Sequence, residues 1–132
     1  MDCRRRCSIK GARVLLVDNN EDLLRSNQLL LEQYGYRAYI AASIREAMQI
    51  LDKNKMEIVV METIFNDGDG FDFCRRVSEK YLTKIMFLTG LHGREYELKG
   101  LNSGCHFYIT KPYDVRIFLE KLSVALRCFV WY

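Results

Sequence analysis

The segment Ile58-Val59-Val60-Met61-Glu62 is an apolar run that ends on a carboxylate, and seven residues further on Asp69-Gly70 opens an amphipathic helical pattern. An unbroken apolar run this short, bounded by polar residues, reads as a strand buried on both faces, and such strands belong to parallel sheets covered by helices. Working outward, the same alternation recurs. Short apolar strands are expected at 12–17, 37–41, 84–88 and 107–109. Helical patterns follow at 21–34, 43–53, 71–80, 94–102 and 114–128, with Ser43 and Glu46 forming a capping box at the second. Leu23, Leu24, Leu30 and Leu31 mark the inner face of the first helix, and Ile117, Leu119, Leu122 and Leu126 that of the last. Five consecutive β-α units imply an α/β fold, a doubly wound five-stranded parallel sheet with five helices. In such folds a site forms beyond the carboxyl ends of the strands, at the point where the strand order reverses. The residues that end the strands are therefore the candidates: Asp18 and Asn19, Glu62, Thr89, and Lys111.

The 132 residues suffice for one core and not for two ordinary domains. The formal net charge is +3 with 28% charged residues, too mild a basic balance to argue for nucleic acid. No apolar stretch approaches a membrane span, and the first residues lack an apolar signal region, so a cytoplasmic protein is expected. Cys3, Cys7, Cys74, Cys105 and Cys128 are odd in number and scattered, which fits reduced thiols rather than a disulfide framework. Cys3 and Cys7 have no second ligand pair at zinc spacing, so residues 1–11 read as a basic tail. The domain proper is expected over 12–128, followed by an apolar end at 129–132. Asp67-Gly68-Asp69-Gly70 lacks the further ligands of a calcium loop and reads as a turn and helix start; His92 and His106 read as solvent-facing.

From about Arg13 to Arg127 the chain resembles the receiver domains of two-component response regulators, which have the flavodoxin-like (βα)5 fold. The resemblance rests on Val17-Asp18-Asn19 at the acidic pair, Glu62 at the phosphoacceptor and Asp69-Gly70-Phe71 behind it. It rests further on Thr89 at the switch hydroxyl, Tyr108 at the switch aromatic, and Lys111-Pro112-Tyr113 at the lysine and its proline, often cis in this family. The last helix is most similar to receivers that precede a winged-helix DNA-binding domain. No such domain follows within these residues, leaving open a truncated regulator or a stand-alone receiver. The family's chemistry brings negative charges together, so a magnesium ion and a lysine neutralise them while the hydroxyl contacts a phosphoryl oxygen.

Three positions depart from the pattern. Asn19 replaces the second acid, Glu62 replaces the acceptor aspartate, and Asn66 stands where proline is usual. Asp18 and Glu62 against Lys111 leave one net negative charge, where the family pattern leaves two, so the need for a divalent cation is smaller. No cofactor, or magnesium held weakly by Asp18 and Glu62, is expected. Glu62 also reaches about 1.5 Å farther than aspartate. From there it would approach Lys111 and Thr89 as a phosphoryl oxygen does.

The resemblance implies a non-enzymatic signalling module, an atypical or pseudo-receiver that works by protein contact without standard aspartyl phosphorylation. Its partners would be a histidine kinase or another regulator, with no direct contact to nucleic acid or membrane. A homodimer through the last two helices would use Arg94, Glu95, Glu97, Lys99, Arg116, Glu120 and Lys121. Two alternatives stand beside it: a working receiver that takes phosphate in a modified way with magnesium, and a small flavodoxin-like enzyme or cofactor binder. Against the last, Asn19-Asn20-Glu21-Asp22 is no phosphate-binding loop.

Overall fold

A computed structural model describes residues 11–129. The basic tail apart from Gly11, with Cys3 and Cys7, and the apolar end beyond Phe129 lie outside the described residues. The elements run β1 (Arg13–Val17), α1 (Glu21–Gln33), β2 (Arg37–Ala41), α2 (Ile44–Lys53), β3 (Ile58–Met61), β4 (Ile64–Phe65), β5 (Gly68–Asp69), α3 (Gly70–Lys80), β6 (Lys84–Thr89), α4 (Arg94–Ser103), β7 (Phe107–Thr110) and α5 (Val115–Phe129). The main sheet is parallel and five-stranded, in the order β2-β1-β3-β6-β7. This is the doubly wound arrangement expected, with the order reversing beside β1.

Side chains alternate across each strand, and the alternation divides the core into two layers. Leu15, Val17, Val59, Met61, Ile85 and Phe87 face α2 and α3, meeting Ala47, Leu51, Phe71, Phe73 and Val77. Val14, Leu16, Ile58, Val60, Met86 and Leu88 face the other way, onto Leu24 and Leu31 of α1 and Phe118, Leu122 and Leu126 of α5. Each such fully buried side chain contributes roughly 1.5–3 kcal/mol through burial. The inner face of α5 is set by Phe118, Leu122 and Ala125, spaced by four and three residues, and this corrects one expectation: Ile117, one position off that stripe, is 44% exposed. Cys74 and Cys105 are buried free thiols; burial pushes Cys74 up to about 12 and Cys105 to about 11, so both stay protonated and inert.

The turn expected at 67–70 belongs to a small antiparallel hairpin, β4 with β5, which pairs Ile64 with Asp69 and Phe65 with Gly68. Its two functions are local. Asp69 caps α3, accepting from the Phe71 N–H at 2.7 Å. Asp67 accepts from the N–H groups of Ile44 and Arg45 at 3.1 and 3.0 Å, tying the hairpin to the first turn of α2. Ser43 caps the same turn through the Glu46 N–H at 3.1 Å, as the capping box anticipated.

Gly70 seats the start of α3 against the end of β3. Its N–H donates to the Thr63 carbonyl at 2.7 Å, and a Cβ at Gly70 would lie 2.5 Å from the Glu62 carbonyl oxygen and 2.7 Å from Thr63 Cα. These neighbours are backbone atoms and cannot swing away. Gly70→Ala should therefore destabilise the domain by about 1–3 kcal/mol in urea unfolding. A neutral result would mean that the 62–63 segment moves freely.

Candidate functional site at the carboxyl ends of the strands

β1, β3, β6 and β7 end side by side, which brings Asp18, Glu62, Thr89 and Lys111 together. Glu62 follows β3 rather than closing it, although its N–H still donates to the Val17 carbonyl at 3.0 Å. Lys111 Nζ lies 2.7 Å from Asp18 Oδ2 and 3.1 Å from Glu62 Oε2. One ammonium thus holds two carboxylates, with only 24% of the lysine side chain exposed and less of its partners. Lys111-Pro112 is a cis peptide bond, and the Lys111 N–H donates to the Thr89 carbonyl at 2.7 Å. Asp18 Oδ1 accepts from the Asn20 N–H at 2.9 Å, so both of its oxygens are engaged.

The other oxygen of Glu62 turns toward Thr63, a residue the sequence analysis passed over. Glu62 Oε1 accepts from the Thr63 N–H at 2.7 Å and from the Thr63 hydroxyl at 3.2 Å. Thr63 Oγ1 is in turn 2.9 Å from Thr89 Oγ1, and both residues are 1% exposed. Thr89 Oγ1 accepts from the Leu91 N–H at 3.1 Å, and the Tyr108 hydroxyl donates to the Leu91 carbonyl. The Tyr108 ring packs on Phe87 with centroids 5.7 Å apart. Burial first, then the charges of Glu62 and Glu97, push its phenol up to about 12, which keeps it a donor. Glu62 bonds Lys111 directly, and Thr89 faces the same carboxylate with the Thr63 hydroxyl bridging the two. A threonine after a strand end is an unremarkable sequence feature, and only the structure shows its hydroxyl turned inward against Thr89.

Burial raises the Glu62 pKa, but the donors facing it, Thr89, the Thr63 N–H and Lys111, outweigh burial and hold it below its ordinary 4.5. Burial lowers that of Lys111, and its bonds to Asp18 and Glu62 outweigh this and lift it above 10.5. A depressed acid contributes stability that is complete above its unfolded value and is lost as pH falls through the folded one; a raised base contributes stability lost as pH rises through its folded value. Both contributions are therefore whole between pH 4.5 and 10.5.

The donor set fits magnesium poorly. The ion prefers oxygen ligands in octahedral array. Here the two carboxylates already face Lys111, and the Asn19 side chain turns its Nδ2 to donate to the Ile64 carbonyl at 2.6 Å. An open pocket of about 340 Å³ lies beside these groups, lined by Asn19, Glu62, Thr63, Ile64, Thr89 and Leu91. At the start of α1, Asn20 caps the Leu23 N–H at 3.1 Å, and Glu21 and Asp22 occupy the first turn. Their charge opposes a bound phosphate there. His106 is exposed as expected, though its Nδ1 accepts from the Ile85 N–H at 3.1 Å.

A doubly wound sheet whose strand ends gather an acid, a second carboxylate, a hydroxyl and a lysine defines a receiver-type signalling module. Residues 14–123 match the family model described as the response regulator receiver domain, and the chain belongs to that family. It is 31% identical over 120 residues to the transcriptional regulatory protein YvrH and 25% identical over 115 residues to YxdJ, both of Bacillus subtilis. Those alignments take in 90% and 87% of this chain, which spans about half the length of these relatives, 51% and 50%. Among solved structures, a two-component response regulator from Clostridium difficile superposes with a TM-score of 0.86 at 27% identity, covering 89% of this chain and 97% of that one.

Lys111→Met would leave Asp18 and Glu62 facing each other without a cation. The expected loss is about 1.5–3 kcal/mol at neutral pH by chemical denaturation. The variant should regain part of that loss on acidification toward about pH 5, as proton uptake relieves the repulsion, whereas the wild type should not. Parallel pH profiles for the two proteins would refute the shared-cation arrangement.

Proposed function

We propose that this chain is an atypical receiver, a pseudo-receiver in which Glu62 occupies the phosphoacceptor position and the signalling surface is held without aspartyl phosphorylation. The observation that carries this reading is the engagement of both Glu62 oxygens, one by Lys111 and the other by Thr63. A carboxylate bonded in this way is a structural anion and a poor nucleophile toward a phosphoryl donor. Asp18 and Asn19 then serve as the remnant of an acidic pair with little hold on magnesium, and Thr89, Tyr108, Lys111 and Pro112 as the switch elements that respond to Glu62.

The output in this reading is protein contact. Arg94, Glu95, Lys99, Arg116, Glu120 and Lys121 are exposed on α4 and α5. Lys99 Nζ lies 4.7 Å from the centre of the Phe71 ring, Lys121 Nζ 5.7 Å from that of Phe107, and Arg116 pairs with Asp114 at 3.1 Å. Leu98, Leu101, Val115, Ile117 and Val124 on the same helices are also exposed, which supports a homodimer or a regulator bound there. A histidine kinase or another response regulator is the partner class, and control of transcription the setting, by analogy with the names of the Bacillus relatives. A cytoplasmic place follows from that setting, and among the described residues no helix is long and apolar enough to cross a membrane.

Incubation with acetyl phosphate and magnesium, followed by intact mass, should give no stable added phosphoryl group. An adduct that maps to Glu62 would establish the modified-phosphorylation reading instead. Sedimentation velocity over a concentration series, with no phosphoryl donor present, should show self-association of the wild type that is weakened in Glu62→Ala. Equal behaviour of the two proteins would remove Glu62 from control of the surface.

A further inference from the structure

A line of hydrogen bonds, joined across the backbone of Leu91, links the segment after β3, the end of β6, the loop that follows it and β7. It begins at Glu62 Oε1, passes the Thr63 hydroxyl at 3.2 Å and the Thr89 hydroxyl at 2.9 Å, reaches the Leu91 N–H at 3.1 Å, and continues from the Leu91 carbonyl to the Tyr108 hydroxyl. The direction of each bond follows from what its ends are able to give. An ionised carboxylate only accepts, so the Thr63 hydroxyl must donate to it. Thr63 has then used its proton, and in this arrangement Thr89 donates to Thr63 Oγ1, its own side chain also facing the carboxylate. Thr89 Oγ1 is left to accept from the N–H of the Gly90–Leu91 peptide, and Tyr108 holds the next peptide through the Leu91 carbonyl, so the two bonds fix Leu91 from both ends. Both threonines are buried, so water offers neither hydroxyl an alternative partner.

We infer that Thr63 is the positioning residue through which Glu62 sets Thr89, Leu91 and Tyr108, so that the state of the distal loop depends on the hydroxyl of the residue beside the acid. This rests on the reading of Glu62 given above and adds to it the part that transmits. The dependence has a physical origin. If the group at Oε1 is no longer an anion, it accepts less well from the Thr63 N–H and hydroxyl, and the hydroxyl, the one of the two that can rotate, turns its proton toward Thr89. Thr89, already accepting from Leu91, then holds a buried hydroxyl proton with no acceptor, and its hold on the loop weakens. The charged groups facing Glu62 are Lys111 directly and Asp18 through Lys111, and they act on Oε2, the oxygen away from Thr63. The relay and the ion pair therefore occupy opposite edges of one carboxylate. The shared backbone packs closely on Gly70, with the Gly70 N–H donating to the Thr63 carbonyl.

The test is a cycle of substitutions followed by amide and aromatic NMR shifts at constant pH. Glu62→Gln is made in the wild type, in Thr63→Val and in Thr63→Ser. Valine matches the shape of threonine without the hydroxyl, and serine keeps the hydroxyl without the methyl. In the wild-type and Thr63→Ser backgrounds, Glu62→Gln should shift the Leu91 amide and the Tyr108 ring signals. In Thr63→Val those shifts should be lost, while the Thr63→Val backbone elsewhere stays as in the wild type. Persistence of the Leu91 and Tyr108 shifts in Thr63→Val would overturn the inference, since Glu62 would then be acting on Thr89 directly. So would the absence of any Leu91 response in the wild type. Neither result bears on phosphoryl acceptance or on the Glu62→Ala sedimentation comparison, so the receiver reading stands or falls separately.

Discussion

One ammonium group between two carboxylates, at the open end of a parallel sheet, is the constraint on which the rest of this molecule is arranged. Two acids that share a shallow pocket repel each other, and burial makes their charges harder to hold. Lys111 answers both problems at 2.7 and 3.1 Å, from the position just after the strand at the edge of the sheet. Its reach ties β7 to β1 and β3 across β6, so the electrostatics of the site also pin the order of the strands' ends. Asn19 extends the same economy. By giving its amide to Ile64 it satisfies a carbonyl of the β4–β5 hairpin with a neutral group and adds no further negative charge to the pocket.

The fold was readable because its cause is periodic. Buried strands show as apolar runs and their helices as stripes, and the register of β1, β3 and β6 follows from which side chains alternate onto which layer. What escaped was local and non-periodic. The β4–β5 hairpin is too short to leave a pattern, and Asp67 looks like any turn aspartate until α2 offers it two N–H groups. The inner stripe of α5 was misplaced by one residue at Ile117 because a run such as Val115-Arg116-Ile117-Phe118-Leu119 supports more than one helical face, and only the packing against Tyr113 and the sheet selects Phe118.

The site was legible to the same degree. Strand-end positions singled out Asp18, Glu62, Thr89 and Lys111, and the structure brings them together. Thr63 was invisible, because its importance lies in where its hydroxyl points. The backbone that carries it is packed against Gly70, whose missing side chain lets the next helix press on Glu62 and Thr63. Sequence reasoning finds residues whose chemistry is unusual for their place; it passes over ordinary residues that acquire a role from a neighbour's absence.

The anchoring of Glu62 also has a consequence in time. A phosphoryl group on a carboxylate is an acyl phosphate that hydrolyses, so a receiver that depends on one carries its own clock. On the reading proposed above, a glutamate side chain held by Lys111 and Thr63 would have no such lifetime, and what it holds in place would last as long as the polypeptide. A regulator built on this arrangement would be governed by how much of it is made and how quickly it is destroyed, with the half-life of the protein standing where the half-life of a bond would otherwise be.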